Sequence, residues 1–219
     1  MSKGVALWIL LTLPGQAVSA QCPSTRYNLY NWSNTFSPLP TGLVSVSNPY
    51  YPPGGQFNVA WNAPLGALSV SGYSPGYDSG AFGVVATTDD FEILGALPGV
   101  VVRVTARLEA GGTSDSGPFY YADFSGALSD AAGRYATPVT DANGTRGWQF
   151  PVDFVAGNPQ RLTYQLSGDA TNTSMGANAS LRFPDLPVGI SIVSCRGFQT
   201  GSVTPTRGDT WGRLKSLYR

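Results

Sequence analysis

Apolar and polar residues alternate one by one along much of this chain, a period that strands satisfy and helices do not. The clearest case is Val100 to Glu109. Val100, Val102, Val104, Ala106 and Leu108 face one way, while Arg103, Thr105, Arg107 and Glu109 face the other. That pattern predicts a strand with one buried face and one wet face. A second runs from Trp148 to Val155, with Trp148, Phe150, Val152 and Phe154 on one side. Pro151 interrupts its opposite side and cannot donate to a ladder, which points to an edge strand or a bulge.

Further strand candidates are Tyr27–Trp32, Leu43–Ser47, Phe57–Asn62, Ala67–Ser71, Phe82–Thr87, Phe119–Phe124, Leu162–Leu166, Ser180–Phe183 and Ile190–Cys195. Turn signals punctuate them, among them Pro52-Pro53-Gly54-Gly55, Pro75-Gly76, Pro98-Gly99, Asn143-Gly144 and Pro187-Val188-Gly189. The spacing predicts an all-β chain, a single β-sandwich of jelly-roll type with about 9–12 strands. The sandwich is expected over residues 21–200, after a signal peptide at 1–20 and before a Pro/Thr spacer and short amphipathic basic tail at 201–219. In the tail, Trp211, Leu214 and Tyr218 fall at i, i+3 and i+7 with Arg213, Lys215 and Arg219 between them. It reads as a frayed end or a short helix packed on the sandwich, and alternatively as a surface-attachment tail.

The leader follows the secretory pattern. Lys3 is the positive start, Val5 to Leu13 the apolar stretch, and Val18-Ser19-Ala20 the small residues of a cleavage site. Cys22 follows at once, and Cys195 is the only other cysteine. In an exported chain two cysteines form one disulfide. A Cys22–Cys195 bridge would make the first and last strands neighbours. The expected location is secreted or cell-surface. No segment reads as a transmembrane span of the mature chain, since about 20 apolar residues are needed to cross a bilayer.

Composition excludes several chemistries. Without Lys3 the basic residues fall from 13 to 12 against 13 acidic ones, so no basic footprint for nucleic acid exists. The chain has no histidine, which removes the usual Ser-His-Asp and Cys-His nucleophile systems and His-based zinc sites. No catalytic residue, metal ligand set or cofactor motif is expected. Asp89-Asp90 beside Thr87-Thr88 reads as a solvated turn, with a Ca²⁺ site as the weaker alternative. The two glutamates, Glu92 and Glu109, both point to solvent in their strand phase and make no acid/base pair.

The best binding candidate comes from hairpin geometry. Phe57–Asn62 and Ala67–Ser71 are joined around Pro64-Leu65-Gly66, so the segments before and after them emerge at one end. Those segments carry Tyr50, Tyr51, Tyr73, Tyr77 and Asp78. Tyrosines on stiff Pro/Gly loops stack on sugar rings or peptide, with the carboxylate fixing orientation. The competing expectation is that the rings cap the core. Four N-x-[ST] sequons, at Asn31, Asn143, Asn172 and Asn178, would be glycosylation sites in a eukaryote and plain polar loops in a bacterium.

The stretch from Val152 to Gly197 resembles the last strands of exported bacterial ectodomains of the PEP-CTERM type. The likeness lies in Val155-Ala156-Gly157-Asn158-Pro159 and in Leu186-Pro187-Val188-Gly189 through Ser194 and Gly197. The Pro-Glu-Pro sorting signal of that group is absent. The resemblance implies a bacterial exported β-sandwich and brings no catalytic residue. The functional expectation is a secreted, non-enzymatic β-sandwich with a structural or adhesive role, partnered by polysaccharide or cell-surface matrix. A carbohydrate-binding module using the tyrosine loops is the alternative, and a glycan-active enzyme with an Asp-based site the third.

Overall fold

The computed structural model describes residues 22–29, 32–36, 41–47, 55–75, 81–113, 115–141 and 145–201. Within them fifteen strands follow in chain order. The first five are β1 (Thr25–Leu29), β2 (Trp32–Phe36), β3 (Thr41–Ser47), β4 (Gln56–Asn62) and β5 (Ala67–Tyr73). Next come β6 (Ala81–Leu94), β7 (Val101–Gly112), β8 (Asp115–Gly117), β9 (Tyr120–Asp130) and β10 (Thr137–Thr140). The last are β11 (Arg146–Val155), β12 (Gln160–Thr171), β13 (Ser174–Arg182), β14 (Ser191–Ser194) and β15 (Gln199–Thr200). The signal peptide and the basic tail of the sequence reading lie outside the described residues.

Two antiparallel sheets form. Sheet A runs β15-β14-β6-β12-β9-β8, with β1 on β6 and β2 on β1. Sheet B runs β10-β11-β7-β13-β5-β4-β3. Three pairings alternate between the sheets: β5 with β13, β6 with β12, and β7 with β11. Successive strands therefore cross from one sheet to the other and return beside their partners. Most connections span the sandwich rather than one sheet, and both inner faces are covered.

The expected alternation holds. Phe57, Val59 and Trp61 of β4, Val104, Ala106 and Leu108 of β7, and Leu162, Tyr164 and Leu166 of β12 are buried between the sheets. Phe150, Val152 and Phe154 are buried as read, and Trp148 packs partly buried against them. Phe91, Phe154, Phe183 and Phe198 meet edge to face, with ring centroids 5.6 to 6.0 Å apart. Such pairs add about 0.5–1.5 kcal/mol beyond the area they bury. The β4–β5 turn is a single 3₁₀ turn, Ala63–Leu65, closed by Gly66 in the left-handed region at φ 61°. The Asn62 side chain caps it by accepting from the Leu65 N–H.

Pro151 sits where its missing N–H does no harm. β10 covers β11 only from Arg146 to Gln149, so β11 is an open edge at Pro151. On the far side of β7, β13 ends at Arg182. There the Asp185 carboxylate takes over, accepting from the N–H and hydroxyl of Thr105 at 2.6 and 2.7 Å.

Two readings of the sequence change. Tyr27–Trp32, read as one strand, belongs to the antiparallel pair β1 and β2, with Leu29 opposite Trp32. Asp89-Asp90, read as a solvated turn after a strand ending at Thr87, lies inside the 14-residue strand β6. Thr87 and Asp89 point inward there and are fully buried. Polar residues at inward positions broke the apolar phase and hid the strand's continuity.

The reason for this burial is the junction of the chain ends. β1 and β14 lie end to end along one edge of β6, pairing with Gly83–Thr87 and with Phe91–Leu94. The Cys22–Cys195 disulfide, Cα to Cα 5.6 Å, joins them at the seam. Arg196 reaches beneath it and donates to the Pro23 carbonyl and the Thr25 hydroxyl. The Ser194 hydroxyl donates to Asp89 at 2.5 Å and accepts from the Arg196 and Phe198 N–H groups. Burial raises the Asp89 carboxyl above its ordinary range and lowers the Arg196 guanidinium.

This has a consequence in pH. A carboxyl whose folded pKa is raised adds stability that is fully present below its unfolded pKa and lost as pH rises through the raised value. Asp153 works in the opposite sense. The Arg103 fork holds its carboxyl below the ordinary range, so its contribution is lost as pH falls. Asp89→Asn keeps the shape and one acceptor oxygen, for the Asp90 N–H, but cannot ionise. Urea midpoints measured against pH should decline less for Asp89→Asn than for the parent as pH rises above the ordinary carboxylate range. Parallel curves would show that Asp89 carries no such cost.

Candidate functional site

Outward positions of three strands that are distant in sequence come together at one end of sheet A. Pairing puts Phe82 of β6 opposite Asp169 of β12, and Asp169 opposite Asp123 of β9. Tyr121 lies two residues before Asp123 on the same face, and the next row carries Ser167 opposite Ser125. These residues line a shallow groove of about 90 Å³. Phe82 and Tyr121 are each 42% exposed, which is unusual for rings that the core would accept.

Asp123 and Asp169 are directly opposed, so their Cβ atoms stand about 5 Å apart, and like charges so placed repel. Arg146 relieves one of them. From the start of β11 its guanidinium donates to Asp123 at 2.6 Å and to the Phe124 carbonyl at 2.7 Å, resting 4.6 Å above the Phe124 ring. The Tyr121 hydroxyl leans on the other Asp123 oxygen at 3.4 Å. Burial, then the charges of Asp123 and Asp169, push the Tyr121 hydroxyl up. Burial also pushes the Asp169 carboxyl up; the Ala170 N–H opposes this and the Asp123 charge adds to it.

The rest of this end is aromatic too. Phe119 and Tyr120 precede Tyr121 and are exposed. The Asn172 side chain, on a residue in the left-handed region at φ 52°, donates to the Phe119 carbonyl at 3.0 Å and ties the β12–β13 turn to it. Tyr73, the one sequence-read tyrosine among the described residues, ends β5 and is 49% exposed. Tyr50, Tyr51, Tyr77 and Asp78 lie outside the described residues. The strand ends that flank them, Ser47, Gln56, Tyr73 and Ala81, gather at the same end as the groove.

The chain has no significant similarity to any family model, curated protein or solved structure compared with it. The site must therefore speak through its chemistry. Two carboxylates side by side on adjacent strands point out of one face. A glycosidase needs its pair flanking the scissile bond. Among the described residues no three His, Cys, Asp or Glu side chains gather to hold a metal ion, and no helix is long and apolar enough to cross a membrane. A second hollow of about 200 Å³ lies on sheet B around Ala60, Asn62, Ala67, Ser69 and Asn178. It offers no charge and no exposed ring.

Sequence reasoning named the strands Phe82–Thr87 and Phe119–Phe124 but none of Phe82, Tyr121, Asp123 or Asp169 as a site. The signal available was phase: with Ala122 and Phe124 inward, Tyr121 and Asp123 must face out. Their meeting with Asp169 depends on register between strands far apart in sequence, which one sequence does not display.

Proposed function

We propose that this protein is an exported, non-enzymatic β-sandwich of jelly-roll type that holds polysaccharide at or outside the cell surface, in an adhesive or structural role. The observation that carries this reading is the groove itself: two exposed rings flank carboxylate and hydroxyl groups on a rigid sheet face. Aromatic faces stack on sugar rings, and fixed polar groups beside them choose the orientation. The jelly-roll reading rests on the alternating pairs β5·β13, β6·β12 and β7·β11, the signature of a hairpin ribbon wound across two sheets. Export rests on the leader at residues 1–20 and on the disulfide, a bond of oxidising compartments.

The test is binding by the mature protein to a panel of polysaccharides, with and without Phe82→Ala plus Tyr121→Ala. Each ring contributes about 0.5–1.5 kcal/mol of stacking, so together their loss should weaken binding by about fivefold to a hundredfold. The melting temperature should barely move, because both rings are half exposed. Unchanged binding by the double variant, or no binding by the parent, would defeat the proposal.

A further inference from the structure

We infer that the groove recognises a protonated amine, and that its ligand is an amino-sugar polysaccharide bearing free amino groups. The inference rests on the proposed polysaccharide-binding role and narrows it to one chemical class. The argument is one of charge balance. Asp123 and Asp169 place two negative charges side by side, and Arg146 supplies one positive charge, paired to Asp123. Asp169 makes no ion pair among the described residues, and its resolved hydrogen-bonding support is the neighbouring Ala170 N–H. Among the described residues one negative charge, half buried beside a like charge, is left without a counterpart at the floor of the groove.

A neutral hexose can offer such a group only hydroxyls. An ammonium offers full charge, three donors and attraction to aromatic faces, and Phe82 and Tyr121 stand beside it to supply those faces. Size agrees. The open groove of about 90 Å³ has room for a ring substituent. The polymer would lie across the open sheet face and drop one amino group into the groove, with its ring against Phe82 or Tyr121. An N-acetyl group would bring no charge.

The experiment compares a glucosamine hexamer with its fully N-acetylated counterpart by calorimetric titration, at a pH where the free amines are protonated. The parent should bind the free-amine hexamer at least about tenfold more tightly, the scale of one charge-assisted hydrogen bond. Asp169→Asn, nearly the same shape, should erase that preference while its melting temperature holds. Equal binding of both hexamers, or a preference that survives Asp169→Asn, overturns the amine inference and leaves the polysaccharide reading standing. Binding of neither hexamer nor any other polysaccharide overturns both. Asp169-dependent binding of oligolysine with no binding of the hexamer also overturns the inference, and makes the partner a protein.

Discussion

Replacing Cys22 and Cys195 together with serine is expected to lower the unfolding free energy by about 5 kcal/mol while leaving the native fold in place. The bridge closes 173 residues of separation, nearly the whole described chain. A loop of that length confines the unfolded ensemble strongly, and the entropy returned on cutting it is the main loss. The folded state has other fastenings at the same seam. Arg196 still holds Pro23 and Thr25, Asp90 still accepts from the residue-195 N–H, and β1 and β14 still pair with β6. The variant should therefore unfold at lower urea with a steeper slope, since its denatured chain is less compact. A loss under about 1 kcal/mol, the range of ordinary surface changes, would mean that the seam and not the cross-link confines the chain.

Phe91→Ala should cost about 3–5 kcal/mol. Phe91 is fully buried and packs edge to face against both Phe183 and Phe198, at 6.0 and 5.6 Å. Those two rings come from the segments on either side of β14, so Phe91 links the middle of sheet A to the closing turns of the chain. Rigid strands on both sides prevent collapse into the vacated space, which places the cost toward the upper part of that range. Equilibrium urea unfolding with an unchanged slope would measure it. A change under about 1 kcal/mol would remove the four-ring cluster from the account of stability.

Legibility in the sequence followed the strength of local signals. β7 and β11 were readable along most of their length, although Val100, read as an inward strand residue, lies just before β7 and is exposed, and the turn between β4 and β5 announced itself through Pro64, Leu65 and Gly66. The disulfide was readable because only two cysteines exist. β6 was half visible, since Thr87 and Asp89 occupy inward positions to meet the polar seam under the disulfide. β8, β10 and β15 were invisible because strands of two to four residues carry no period. The groove was hidden for a different reason. Each of its residues looks ordinary in its own strand, and only the register of β6, β12 and β9 gives them a common floor. Asp169 had no local feature to mark it.

The most direct test of the central claim is a map of backbone amide shifts as the glucosamine hexamer is titrated into the mature protein. The account predicts the largest changes at Phe82, Tyr121, Ser125, Ser167 and Asp169, with the disulfide seam around Asp89 and Arg196 unmoved. Changes centred on the sheet B hollow at Ala60, Ser69 and Asn178, with the groove silent, would contradict it.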